Sequence, residues 1–260
     1  MTADAFYQQL DDETYASTEH TNGPWGAGMQ HLGPPSALLA RALEGLPGAD
    51  GTSIARITVE ILGPVPVAQL RVEAQVHRPG RSVQMLEATM SADGRPVALA
   101  RAWRMTPADT AEVQATHTEP MPPPDDAPEF GRPEGWHPGY VDAMQWRSIH
   151  GGLGVPGPAI VWARQRVDLV QGESPSPLQR LCTVADSGNG VSAGLDPTRW
   201  WFINTELTVH LSRLPDGEWI GLDAATTIGP HGVGTANSVL YDVAGPLGAG
   251  AQALMVRPRD

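Results

Sequence analysis

Ile57-Thr58-Val59-Glu60-Ile61 and Leu207-Thr208-Val209-His210-Leu211 stand 150 residues apart and read alike. Set over one another without a gap, residues 57–105 and 207–255 keep one order of apolar runs and turns. Ala74 falls on Ala224, Pro96 on Pro246 and Met105 on Met255. The hairpin loop Arg78-Pro79-Gly80-Arg81 falls on Ile228-Gly229-Pro230-His231, and the turn Asp93-Gly94-Arg95-Pro96 on Val243-Ala244-Gly245-Pro246. Identities are few. What repeats is the order of strands and turns, the mark of a tandem duplication.

Each copy begins with a short segment able to form a strand, then one helix, then a run of strands. In the first copy the helix spans residues 35–44, with Pro35 and Ser36 at its start, Leu and Ala inside, and Gly45 just past its end. Strands are expected at 54–62, 68–77, 82–91 and 97–105, and again at 200–212, 218–228, 232–241 and 249–256. One helix followed by four consecutive strands is not a βαβ array; it calls for an α+β fold in which an antiparallel sheet wraps a helix. The expected division is an N-terminal unit over 1–118, a Pro-rich connector over 119–150 and a C-terminal unit over 151–260. The connector's core, Pro120-Met121-Pro122-Pro123-Pro124, reads as a stiff, solvated strap. Gly151-Gly152-Leu153-Gly154 lacks the Lys-Ser/Thr and helix of a phosphate loop and reads as a plain loop leading to a strand at 159–162.

Composition narrows the function. With 17 Lys+Arg against 29 Asp+Glu the net charge is −12, which repels nucleic acid. An anionic small ligand held by a few local groups stays possible. The one cysteine, Cys182 in an apolar segment, reads as a buried inert thiol in a reducing compartment. The N-terminal Met1-Thr2-Ala3-Asp4-Ala5-Phe6 has no basic, apolar leader, and no window reaches the ~18–20 apolar residues of a membrane span. A cytoplasmic protein with no membrane span is expected. His31, His210 and His231 have no second His or Cys at ligand spacing, so no zinc site is expected, and no Gly-x-Ser-x-Gly elbow marks a serine hydrolase.

Four segments carry a resemblance: residues 31–43, beginning His31-Leu32-Gly33-Pro34-Pro35; Val184-Ala185-Asp186-Ser187-Gly188-Asn189-Gly190; Asn204-Thr205-Glu206-Leu207; and Ala251-Gln252-Ala253-Leu254. Their order and spacing resemble the double-hotdog acyl-CoA thioesterases of the TesB-like type, over nearly the whole chain. The resemblance implies two hotdog units, hydrolysis of an acyl-CoA or another acyl-thioester, and a homodimer or larger homo-oligomer. It places the active site on Asp186, Asn204 and Gln252, with Asn204 where reference members carry Thr.

That trio suits the chemistry. Thioester hydrolysis needs a water aimed at the carbonyl carbon, a base for its proton, and donors facing the oxygen that becomes negative. Asp186 would accept the proton or orient the water, Asn204 and Gln252 would hold that water, and backbone N–H groups around 187–190 would face the oxyanion. No metal, cofactor or covalent intermediate is needed. At the 150-residue offset Asp186, Asn204 and Gln252 fall on Ser36, Ile54 and Ala102. The first copy therefore lacks the carboxylate and both amides, as a single functional site would have it. Competing readings remain: Asp186 as a helix cap, Gln252 as a buried structural amide, and Asn204 turned outward. Counting by two from Leu207 and Val209 puts Asn204 on the opposite face unless a bulge intervenes. Arg78 and Arg81 read as solvated loop residues that could meet CoA phosphates, and Trp200-Trp201 as packing at a strand start.

Two other functions fit the framework. A hydratase or dehydratase of enoyl- or hydroxyacyl-thioesters would set an Asp and a His together, and the segment around Asp186 contains no His. A non-catalytic acyl-thioester binding protein would have lost the trio.

Overall fold

In the computed structural model, residues 4–24, 27–196 and 199–259 are described. Met1–Ala3 of the N-terminal stretch judged above lie outside them. The first half comprises strands β1 (Ala5–Gln9) and β2 (Thr14–Ser17), helix α1 (Gly33–Glu44), then β3 (Ser53–Ile61), β4 (Gln69–Arg78), β5 (Val83–Ala92) and β6 (Arg95–Met105). The second half comprises β7 (Glu129–Phe130), a short α2 (Tyr140–Ala143), β8 (Met144–His150), β9 (Ala159–Gln165), β10 (Asp168–Val170), α3 (Pro177–Ala185) and α4 (Gly188–Ser192). It closes with β11 (Trp200–Asn204), β12 (Glu206–Leu211), β13 (Ile220–Ile228), β14 (Val233–Asp242) and β15 (Gly245–Pro258). The expected helix and strands are found within a few residues of their predicted bounds, and the hairpin turns fall where Gly and Pro put them. At the β5–β6 turn both Asp93 and Gly94 have positive φ, the geometry that suits a tight two-residue hairpin.

All the strands join one sheet in the order β10-β1-β2-β4-β5-β6-β3-β12-β15-β14-β13-β9-β8-β7, with β11 also paired to β15. The two halves meet where β3 and β12 pair antiparallel, Val59 opposite Leu207 and Ile57 opposite Val209. Thr58 lies opposite Thr208, its own counterpart in the other copy, and their hydroxyls are 3.1 Å apart. The duplication is thus arranged about a pseudo-two-fold axis through that pair. The helices obey the same axis. A Cβ on Gly33 would stand 2.3 Å from the carbonyl oxygen of Thr183, again the residue 150 positions on. Gly33 is therefore the contact that lets α1 and α3 cross backbone to backbone. Because sheet lies on one side and α3 on the other, every residue of α1 from Gly33 to Ala40 is buried, a wider face than the apolar stripe predicts.

Residues 119–150 do more than connect. Met144–His150 forms β8, paired to β9, and the Pro-rich strap docks on the sheet through the carbonyls of Pro122 and Pro124, which accept from Trp162 and Arg147.

Adding one methyl group at the crossing tests its tightness. Gly33→Ala should lower unfolding stability by about 1–3 kcal/mol, because the Cβ must push two helix backbones apart. Denaturant titration reads this directly, and an unchanged midpoint would refute the close approach.

Candidate active site

Ser176 starts α3, its side chain accepting from the Gln179 N–H at 3.1 Å with Pro177 in the first turn. The helix stops at Ala185 and restarts as α4 at Gly188, so its first-copy counterpart α1 is continuous where this one is broken. The chain is crowded where the helix restarts. A Cβ on Gly188 would lie 2.7 Å from Ser238 Oγ and 3.1 Å from Gln252 Oε1. Freed by the break, the Asn189 N–H donates to Gln252 Oε1 at 2.9 Å.

Asp186 sits at this break, almost completely buried. Its Oδ1 accepts from Asn204 Nδ2 at 2.8 Å and from Gln252 Nε2 at 3.1 Å; the same Gln252 Nε2 lies 3.0 Å from the Asp186 carbonyl oxygen. The structure thus brings the three sequence-predicted residues together. Asn204 faces inward because Thr205 interrupts the ladder. Asn204 pairs with Leu254 on β15 but Thr208 with Ala251, a one-residue slip that turns Phe202 and Asn204 to the same side as Leu207 and Val209. The parity count that put Asn204 outside fails for that reason. Gln252 is spent on Asp186 and Asn189, and is absent from the cavity lining, so it positions groups and does not reach a water in the cavity.

A fourth residue, passed over in the sequence, completes the cluster. His31, just before α1, places Nδ1 3.2 Å from Asp186 Oδ2. It comes from the other copy, so the absence of a His near Asp186 in sequence does not mean its absence in space. The signal was available. If α1 and α3 cross antiparallel at Gly33 and Thr183, residues just before Gly33 must lie beside those just after Thr183. The ring of His31 stacks on Tyr140, centroids 3.8 Å apart and 7° from parallel. Tyr140 is pinned in turn by donating to the Thr183 carbonyl at 2.7 Å. Nδ1 also accepts from the Gly33 N–H at 3.0 Å, so it carries no proton and Nε2 does. The contact with Asp186 is accordingly not an ion pair. Burial holds His31 neutral, its pKa lowered to about 3. Burial likewise lifts the Asp186 carboxyl to about 7, against the opposing pull of the Asn204, Gln252 and Leu32 N–H groups.

These groups face a cavity of about 320 Å³ between the two units, lined by His31, Leu32, Asp186, Asn204 and Gly190 among others. Trp201 lines it too, so that tryptophan is not merely strand-start packing, whereas Arg78 and Arg81 do not line it. Cys182 is buried, and burial pushes its thiol well up. The counterpart positions, Ser36, Ile54 and Ala102 in the first copy and Leu181 in the second, are all buried, and the Ser36 hydroxyl makes no hydrogen bond among the described residues. Packing fills the place of a second site. No helix among the described residues is long and apolar enough to cross a membrane.

Two half-sheets joined edge to edge, each wrapped on a helix, make a double-hotdog fold. Residues 21–105 match the N-terminal domain of acyl-CoA thioesterases and residues 124–256 the C-terminal domain, and the chain belongs to that family. Solved structures agree on the fold. A conserved protein with hot dog fold from Alicyclobacillus acidocaldarius aligns with TM-score 0.74 at 20% identity, covering 99% of this chain and 97% of its own. The acyl-CoA thioesterase II TesB2 of Mycobacterium marinum aligns with TM-score 0.65 at 14% identity, covering 99% and 96%. The tesB protein of Mycobacterium avium subsp. paratuberculosis gives 0.67 at 14%, covering 97% and 96%. A comparison with curated proteins gives no match.

The raised Asp186 pKa has a thermodynamic consequence. The folded protein holds a proton that the unfolded chain releases near pH 4, so this group's stabilisation is present below that pH and lost as pH rises through about 7. Asp186→Asn should therefore gain stability relative to wild type between pH 4 and 7, by up to about 4 kcal/mol. Urea unfolding of both proteins across that range checks it; parallel curves would mean an unperturbed carboxyl.

Proposed function

We propose that the chain hydrolyses an acyl-CoA to the free acid and CoA at this one site, through a water activated by Asp186. The supporting observation is how the carboxylate's two oxygens are used. Oδ1 accepts from the amides of Asn204 and Gln252, whereas Oδ2 receives no side-chain amide among the described residues and lies 3.2 Å from the unprotonated Nδ1 of His31; the Leu32 N–H also bonds the carboxylate. Oδ2 takes a proton from the water as its oxygen attacks the carbonyl carbon. The C–S bond then breaks, and the same proton passes from Asp186 to the departing sulfur, leaving the acid and CoA thiol. Asn204, which lines the cavity, holds the water beside Oδ2; Gln252 keeps Asp186 and the start of α4 in place. The carbonyl oxygen is met by the neutral His31 Nε2–H and by the N–H of Gly190, which lines the cavity; the N–H groups of Ser187 and Asn189 are already taken by the Val184 carbonyl and Gln252. A neutral imidazole donor avoids the cost of a buried cation.

The same reading treats 1–118 and 151–260 as the two hotdog units, with 119–150 joining them and covering the second. It makes the protein homo-oligomeric, as the resemblance implies, and cytoplasmic, as the sequence leads one to expect. The Asp186–His31 contact favours one competing reaction, hydration of an enoyl-thioester, which also sets these two side chains together. Release of free thiol separates the two, since hydration leaves the C–S bond intact.

Free CoA release from an acyl-CoA panel tests the reading. Asp186→Ala should lower kcat by at least about 10²-fold with the fold retained, in the range of a lost general base. His31→Gln should reduce kcat by about tenfold or more with little change in KM. In wild type, kcat/KM should rise with pH through about 7 as Asp186 ionises. Activity indifferent to Asp186 would exclude this mechanism; enoyl-CoA consumed without free thiol would establish the hydratase.

A further inference from the structure

The chain has eight Trp against three Phe and four Tyr. Among the described residues Trp136, Trp146 and Trp201 all line the cavity, together with Tyr140 and Phe202. We propose that the acyl group cleaved here is a compact aromatic acid and not a long alkyl chain, a claim that rests on the thioesterase reading and specifies its substrate. Three observations carry it.

The first is size. At about 320 Å³ the cavity sits at the small end of the ~300–1,000 Å³ range of ligand pockets, which suits one ring with a short linker to the carbonyl better than an extended chain of twelve or more carbons.

The second is rigidity. Trp146 and Tyr140 are each only 1% exposed. The Trp146 Nε1–H donates to the Val141 carbonyl at 3.1 Å, and the Tyr140 hydroxyl is held by the Thr183 carbonyl at 2.7 Å and Ser187 Oγ at 2.9 Å. The two rings meet edge to face at 6.3 Å, and Phe130 backs Trp146 at 6.1 Å. A long chain would have to displace these rings and break those hydrogen bonds. Flat walls with fixed positions favour a flat, rigid guest, which gains edge-to-face contacts and loses little rotational freedom, whereas an alkyl chain must freeze several torsions.

The third is charge. Among the described residues Asp186 is the one carboxylate in the lining, and no arginine lines the cavity. The chain contains no lysine. A second carboxylate on the acyl group would meet Asp186 with no cation to offset it, so dicarboxylic acyl groups are rejected and an uncharged ring is accepted.

The test compares kcat/KM for phenylacetyl-CoA, octanoyl-CoA with the same eight acyl carbons, and lauroyl-CoA, read as free thiol. Phenylacetyl-CoA should exceed octanoyl-CoA by at least about tenfold, with lauroyl-CoA lowest. Trp146→Ala should erase the aromatic preference and admit lauroyl-CoA. Should that variant fail to fold, Leu153→Ala widens the same cavity with every ring in place, and it should raise kcat/KM for lauroyl-CoA by about tenfold. Octanoyl- or lauroyl-CoA cleaved as well as phenylacetyl-CoA would overturn the proposal while leaving the thioesterase reading standing. If no acyl-CoA is cleaved, that reading fails on its own, and tryptophan fluorescence titration decides the acyl class. Phenylacetyl-CoA should then bind at least about tenfold more tightly than octanoyl-CoA, and equal or reversed affinities would overturn the proposal.

Discussion

Gly33 against Thr183 and Thr58 against Thr208 are the two contacts on which the molecule is organised. Each joins a residue to its own counterpart in the other copy, so each lies on the pseudo-two-fold axis. The sheet contact fuses two half-sheets edge to edge, removing the exposed edge that each would otherwise present. The helix contact sets α1 and α3 antiparallel at a distance that a side chain at position 33 would forbid. From this follows where charge can go. The N-terminal end of each helix lies beside the far end of the other, and each such junction receives a carboxylate from the opposite helix.

Those two carboxylates have different fates. Glu44, at the end of α1, accepts from Ser176 Oγ and Gln179 Nε2 at the start of α3, and both of its oxygens are engaged there. Burial raises its pKa, but it does not line the cavity beside Asp186, and it ties the helices together. Asp186, at the end of α3, has the Leu32 N–H of α1 beside it and borders a cavity, with one oxygen saturated and the other turned to His31. The axis would offer the same arrangement a second time, at Ser36. There, however, the counterparts of His31, Asn204 and Gln252 are Leu181, Ile54 and Ala102, which pack as core. One pseudo-symmetric framework therefore carries one polar site, at Asp186, and one packed counterpart, at Ser36.

Much of this was legible in the sequence, because strand order, turns and the 150-residue offset depend on local residue types that periodicity reveals. Asp186, Asn204 and Gln252 stood out as polar residues in apolar surroundings, with apolar counterparts in the other copy. What escaped depended on relations between the copies or on single backbone irregularities. The slip at Thr205 leaves no mark in a count by two, and the crowding that keeps position 188 a glycine comes from Ser238 and Gln252, which are distant in sequence. Met144–His150 was hidden in a stretch whose prolines drew the eye. His31 is silent in a reading along the chain because the 150-residue offset is a translation, whereas the contact with Asp186 follows from a two-fold axis in space. The tryptophans made sense only once Trp136, Trp146 and Trp201 were seen to border one cavity.

The central claim is that duplication has left one functional site per chain, built from both copies. Calorimetric titration of the protein with a thioether analogue of an acyl-CoA, which binds without being cleaved, counts sites directly. One bound analogue per chain is the expected result, abolished together with the binding heat when His31 of the first copy or Asp186 of the second is replaced by a bulky residue. Two equivalents per chain would contradict the account, since the packed position around Ser36 would then be a working site.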